Sequence, residues 1–291
     1  MTVSPHHSVA LAEGLSGALR GALSALAEQD DDAIAVADAA LVLAACRHPG
    51  KSLEPYRDHL RALGDSLGEA AANADSDTAE DRAALLRATL VERWRYTGDA
   101  ESYEDPQNAD LMRVVDRRRG LPISLGILYL HAARSQGWAA QGLNFPGHFL
   151  IRLDCDGGER VIIDPFHDGQ VMGVADLRAL LKAISGPAAE LTPDFYAPLG
   201  NRETLVRLHN TIKLRHLEAG RFDLALETVE QMLLIAPRDH RLWREAGLMH
   251  MRLGDLERAL DHLDTYLDLA PPGTDRERIE DVMHELRHRL T

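Results

Sequence analysis

The chain has 291 residues, 45% apolar and 27% charged, a balance that fits one large or two modest globular domains and excludes collagen, coiled coil and wholesale disorder. Its net charge of −14 argues against a nucleic-acid backbone as partner. No apolar run approaches the ~18 residues that cross a bilayer, the opening MTVSPHHS lacks a basic leader region, and two cysteines, Cys46 and Cys155, make neither a disulfide framework nor a four-ligand zinc site. The expectation is a cytoplasmic protein without membrane attachment, nucleic-acid partner, metal or cofactor.

The first hundred residues read as helical. Leu11, Leu15, Leu19, Leu23 and Leu26 recur at spacings of three and four, as one buried stripe requires. Further helical patterns run from Ala33 to Cys46, from Leu53 to about Ala72, and from Glu80 to Trp94, with a polar loop from Asn73 to Thr78. Asp30-Asp31-Asp32 reads as the N-terminal flank of the second helix, where negative charge is favoured. Arg117-Arg118-Arg119, just before Gly120, reads as the cationic end of another helix. Cys46 reads as a small buried hydrophobe.

From 101 to 200 the pattern becomes α+β. A helix from Pro122 or Ile123 to Gln136 precedes a change of period toward two: Phe149, Ile151 and Leu153 alternate with His148, Leu150 and Arg152. The turn-rich DCDGG and the apolar Val161-Ile162-Ile163 follow, which is a β-hairpin signal. A hairpin symmetric about residue 156 makes His148 and Asp164 cross-strand neighbours. Such an aspartate fixes the tautomer of its histidine, as in the base–orienter pair of a nucleophilic site. A third member belongs at a helix N-terminus, where free N–H groups stabilise an oxyanion; Pro122 suits a first helical turn, and Ser124 stands beside it. Cys155 lies seven residues from His148, roughly 23 Å along an extended strand, and sits at the far end of the hairpin, so it is a poor nucleophile.

Residues 205–271 repeat at an offset of 34: Leu208 maps onto Leu242, Leu214 onto Leu248, Gly220 onto Gly254, Ala225 onto Ala259, Leu226 onto Leu260 and Pro237 onto Pro271. Each unit reads as helix, short turn (AGRFD, LGDLE), helix and terminating proline. This resembles the tetratricopeptide repeat, with units at 205–238 and 239–272. Two repeats are fewer than the three or so that bury a solenoid core, so the segment RERIEDVMHELRHRL is expected to cap the array as a helix. His209 and Trp243 occupy equivalent positions and are candidates to line a face that binds a protein or peptide, with core packing as the other reading of Trp243.

The run YEDPQN…RRRGLPISLGILYLHAARSQGW…GLNFPGHFLIRL…VIIDPFHDG, from Tyr103 to Gly169, resembles the transglutaminase-like superfamily, and more closely its SirB-type bacterial branch with C-terminal tetratricopeptide repeats. The resemblance implies a papain-like core in which a helix bearing a catalytic cysteine packs on a sheet bearing histidine and aspartate. His148 and Asp164 match the latter two positions. Ser124, or a neighbour within two residues, stands where active members carry cysteine, so thiol chemistry is not implied. Asn108 is expected to hold the loop before the helix. His167 could line the same cleft or face solvent in a turn, and the turn is favoured. Two functions follow: a binding or regulatory protein acting through its repeats, or a serine-type amide or ester hydrolase using Ser124, His148 and Asp164. His284-Glu285-Leu286-Arg287-His288 fits H-E-x-x-H, but a zincin needs a third ligand, commonly downstream, and Thr291 is close.

Overall fold

The structure, a computed structural model, describes residues 17–74 and 77–290. The expected Leu11 and Leu15 positions of the first stripe lie outside these. The chain groups into two compact units, one covering Asp30–Leu208 and the other combining the segment up to Gln29 with the chain from His209 onward. In chain order the elements are α1 (Gly17–Glu28), α2 (Val36–Ala45), α3 (Glu54–Ala72), α4 (Ala79–Arg87), β1 (Thr97–Gly98), α5 (Leu111–Arg117), β2 (Arg119–Gly120) and α6 (Pro122–Ser135). There follow β3 (Ala139–Leu143), β4 (Leu150–Asp154), β5 (Arg160–Asp164), β6 (Gln170–Val171), α7 (Val174–Ser185), β7 (Pro198–Leu199), α8 (Asn201–Glu218), α9 (Phe222–Ile235), α10 (His240–Leu253), α11 (Leu256–Leu269) and α12 (Thr274–Leu290). No helix among the described residues is long and apolar enough to cross a membrane.

The first unit is α+β. Its sheet has the order β6-β5-β4-β3-β7, with every pairing antiparallel. Helix α6 lies on one face so closely that a Cβ on Gly126 would come within 2.4 Å of the Phe149 ring. The other face is covered by α7, where Leu177 and Leu181 pack with Leu143, Phe145 and Leu150. Leu150 is therefore buried rather than outward-facing, because β4 is a central strand covered on both sides. Helix α2 is apolar nearly all round, as a helix enclosed by its neighbours α3, α5 and α6 must be. The fourth predicted helix is shorter than expected: α4 gives way to a π-helical turn over Ala88–Arg93.

Two charged runs are placed differently from expectation. Asp31 sits in a short 3₁₀ turn and caps α8, accepting from the Asn201 and Arg202 backbone N–H groups at 2.7 and 2.8 Å. The carboxylate satisfies free N–H groups at a helix start, but of a helix 170 residues away. In the arginine run, Arg118 is the left-handed cap of α5. Its guanidinium reaches inward to His59 and the Tyr96 hydroxyl, each at 2.6 Å, and lies over the Trp94 ring. Cys46 is half-buried, its thiol directed at the Val42 carbonyl.

In the second unit the part of α8 from His209 onward is followed by α9, α10 and α11, of which α10 packs on both α9 and α11, and α12 packs on α11, as a capping helix should. Helix α1 packs against α9 and so belongs with the array. Gly220 and Gly254, 34 residues apart, both have left-handed φ values of +70° and +86°, where a β-carbon would be strained. Gly247 lets α10 settle on α11: a Cβ there would meet Leu263 at 2.7 Å.

Candidate functional site

The site is built where β4, β5 and α6 converge. His148 precedes β4 in a bend after Gly147, whose φ is +66°. Arg207 pins that bend, donating to the carbonyls of Phe145 at 2.6 Å and His148 at 2.5 Å. The next residue, Phe149, is clasped between Gly126 of α6 and Gly142 of β3; a Cβ on either would overlap its ring. The hairpin register pairs Ile151 with Ile163 and Leu153 with Val161, so its centre is residue 157 rather than 156. Gly157 and Gly158, with φ of +80° and +86°, make the longer turn. His148 is thus not directly across from Asp164 but reaches it diagonally from beyond the strand end.

The pair nevertheless forms. His148 Nε2 lies 2.9 Å from Asp164 Oδ1, with both side chains buried. Asp164 also accepts from the Phe166 N–H at 2.9 Å, and its Oδ2 meets His167 Nδ1 at 2.7 Å. Burial pushes the Asp164 pKa up, but the hydrogen bonds and charges of His148 and His167 outweigh that and hold it below the ordinary carboxylate value. An ionised carboxylate only accepts, so both histidines donate to it. That leaves His148 Nδ1 as the basic nitrogen, used by no hydrogen bond among the described residues.

His167 does sit in the expected turn, 56% exposed, yet it also belongs to the cluster. Its ring stacks on His148 with centroids 5.8 Å apart, and Phe166 stands edge-on to both. Tyr103 packs edge-on against Phe166, and Gly98 of β1 admits the Phe166 carbonyl, which a Cβ would meet at 2.4 Å. The ligand atoms of His148, Asp164 and His167 are close enough to hold a metal ion. Both histidine nitrogens there, however, carry protons directed at Asp164, so a cation would have to displace both bonds.

Ser124 is in the first turn of α6 and fully buried, and its hydroxyl donates to the Asn108 carbonyl at 2.7 Å. Asn108 does hold the preceding loop. Its amide donates to the Ser102 carbonyl at 2.7 Å, its side-chain oxygen accepts from Arg117 at 2.9 Å, and Arg117 in turn pairs with buried Asp99 at 3.0 Å. Asp99 is raised by burial but brought below the ordinary value by the Ser102 N–H, Asn108 and Arg117. The structure therefore joins His148, Asp164 and His167 in one cluster, and Ser124 with Asn108 in another.

Sequence reasoning missed Arg207 and Tyr129. The Tyr129 hydroxyl is buried beside Gly169 without a hydrogen-bond partner among the described residues, and burial together with the Asp168 and Asp164 charges raises its pKa. His209 and Trp243, the candidates to line a binding face, are both interior, and for Trp243 this is the core-packing alternative. Trp243 is 2% exposed and donates to the Pro237 carbonyl at 2.8 Å. His284 and His288 are exposed on α12, with their Nε2 atoms 3.1 Å apart, and among the described residues no third ligand group joins them.

The transglutaminase-like superfamily profile matches residues 54–210, more than half of the chain and the stretch that builds this site. The chain belongs to that superfamily. A tetratricopeptide-repeat profile matches residues 212–284. Among curated relatives, the "UPF0162 protein" of Xylella fastidiosa (strain Temecula1) is 29% identical over 255 residues, covering 84% of this chain and 88% of the relative. That of Vibrio cholerae is 29% identical over 265 residues, covering 90% and 96%. "Protein SirB1" of Salmonella typhimurium (strain LT2) is 26% identical over 204 residues, covering 70% and 76%. These relatives agree with the SirB-type branch.

Proposed function

We propose that this chain is a transglutaminase-like protein lacking the family cysteine, which acts in the cytoplasm as a protein-binding or regulatory module through its repeats. The observation that carries the reading is Ser124. At the helix start where the family resemblance expects a thiol, its hydroxyl is fully buried and spent on the Asn108 carbonyl. Helix α6 carries no cysteine, and neither Cys46 nor Cys155 lies on it. Burial raises the Cys155 thiol, which disfavours the reactive thiolate. His148 and Asp164 then serve as a paired polar element under the sheet. Recognition falls to the repeats, whose helices leave Leu214 and Leu253 exposed.

The test is crosslinking capture with the full chain. Leu214→Glu combined with Leu253→Glu should abolish recovery of a partner while helix content by circular dichroism stays unchanged. Undiminished capture by that double variant rejects the repeats as the binding surface.

The intact His148–Asp164 pair favours a second reading, a serine-type amide or ester hydrolase. In it the Ser124 hydroxyl leaves Asn108 and gives its proton to His148 Nδ1, while Asp164 orients the imidazole. Intact-mass measurement after a fluorophosphonate probe separates the two. An adduct abolished by Ser124→Ala establishes the hydrolase, and its absence on the wild type supports the binding module. In a hydrolase, Asp164→Asn would cost orders of magnitude in rate through loss of tautomer control.

A further inference from the structure

The repeat unit holds a second histidine cluster that neither reading above uses. Glu230 on α9, His250 on α10 and His262 on α11 bring one potential ligand atom each from three successive helices, all within 4.8 Å of one another. His250 is 2% exposed and His262 5%. Each has a buried Nε2 with no hydrogen-bond partner among the described residues. Two orphaned imidazole nitrogens in one buried place are costly, because each forfeits its hydration without replacement.

We propose that Glu230, His250 and His262 form a binding site for a divalent zinc-class metal ion that staples the three helices together. Four observations point to it. His262 Nδ1 donates to the Arg258 carbonyl at 2.8 Å, which fixes the tautomer and leaves Nε2 as a bare lone pair, the form that ligates. His250 Nε2 lies 3.5 Å from Glu230 Oε1; a tetrahedral ion with bonds of 2.0–2.1 Å separates its ligands by about 3.3–3.4 Å. The other nitrogen of His250 lies 3.7 Å from Asp255 Oδ2, the outer-shell carboxylate that such histidines commonly carry.

The fourth observation is the repeat itself. One period earlier the position of His262 is Thr228, whose hydroxyl makes the same bond to the carbonyl four residues back, at 2.8 Å from Leu224 O. The fold's requirement there is met by threonine. Histidine adds only a second nitrogen, directed at His250 and Glu230. Two histidines and one carboxylate leave a fourth position for water or for a group from a partner, and this donor set suits zinc, cobalt or nickel rather than calcium or magnesium.

Titration of the metal-free full chain with cobalt(II), followed by zinc displacement, tests this. A single equivalent should give the visible bands of a four-coordinate cobalt site, and zinc should abolish them and raise the melting temperature. His262→Thr, which keeps the helix bond and inserts the residue of the preceding repeat, should weaken binding by more than about tenfold, as should Glu230→Gln. His284→Gln with His288→Gln, and His167→Gln, should leave the titration unchanged. Unaltered binding in His262→Thr, loss of the signal in either control, or no binding by the wild type at micromolar metal each overturns the assignment.

Discussion

Among the described residues, His148, Asp164 and His167 in one unit and Glu230, His250 and His262 in the other group histidine with carboxylate, and the two groupings are satisfied in opposite ways. In the transglutaminase-like unit Asp164 takes hydrogen bonds from His148, His167 and the turn backbone, so the nitrogens facing it are matched. In the repeat unit the His250 and His262 Nε2 atoms face one another and Glu230 with no hydrogen bond made among the described residues. A matched cluster is held together by its own charges, whereas an unmatched one lowers stability until something enters it. Composition alone would not separate the two; the direction of each ring nitrogen does.

Breaking the matched cluster should have the largest effect. Asp164→Ala leaves His148 buried without its acceptor and frees the Phe166 N–H, so a loss of about 3 kcal/mol in the core unit is expected. Urea denaturation measures it, and a loss below about 1 kcal/mol would show that the pair contributes little. The sign with pH follows from the depressed Asp164 pKa. Its contribution is complete above the ordinary carboxylate value of 3.8 and is lost as pH falls through the lower folded value.

Next in size is Gly126→Ala. The added methyl would meet the Phe149 ring at 2.4 Å, lifting α6 from β4 and disturbing the bend that carries His148. Overpacking should cost about 1–3 kcal/mol net, although alanine favours an exposed helix by about 1 kcal/mol. An unchanged melting temperature would mean that the helix and sheet separate without strain.

What could be read from the sequence divides along the same physical lines. Periodic elements were legible: α6, the β4–β5 hairpin, the 34-residue repeats and the capping helix announce themselves by spacing. Strand β3 did not, since Ala-Ala-Gln-Gly-Leu lacks β-branched residues, and its Gly142 is there to admit Phe149. Asp31 capping α8 and Arg207 pinning the His148 bend join residues 170 and 59 positions apart, which no local pattern encodes. At the site, His148 and Asp164 were legible as a pair, although the hairpin centre was displaced by one residue. The environment of Ser124 was not, because its partner is a backbone carbonyl. The Glu230, His250 and His262 cluster draws on three helices, and its one sequence signal is His262 standing where the preceding repeat has Thr228.

A third kind of histidine sharpens the contrast. His59 is partnered yet uncharged, with its Nε2 2.7 Å from the Tyr96 hydroxyl and Arg118 beside it. Burial and then the Arg118 charge pull its pKa down from 6.5 to about 4. Between those values the unfolded chain binds the proton and the folded chain does not, so the contribution is complete above pH 6.5 and is lost on acidification toward pH 4. After allowance for partial exposure of the ring the effect should be about 1–2 kcal/mol. Stability measured across that interval should flatten in His59→Gln, and an unchanged slope would assign the pH dependence to other groups.

The smallest expected effect has the opposite sign. In metal-free protein with a chelator present, His262→Leu removes one orphaned nitrogen and supplies a comparable apolar volume beside Trp243. The side-chain bond to the Arg258 carbonyl is lost, but the backbone hydrogen bond of the helix to that carbonyl remains. Replacing an unsatisfied buried polar group by an apolar one is neutral or favourable, so thermal unfolding should show no loss and up to about 1 kcal/mol gained. With zinc present the order should reverse, because only the wild type gains from binding an ion its unfolded chain does not hold. A His262→Leu variant markedly less stable than wild type in chelator would mean that the cluster is satisfied without an ion. The contrast between the two histidine groupings would then disappear.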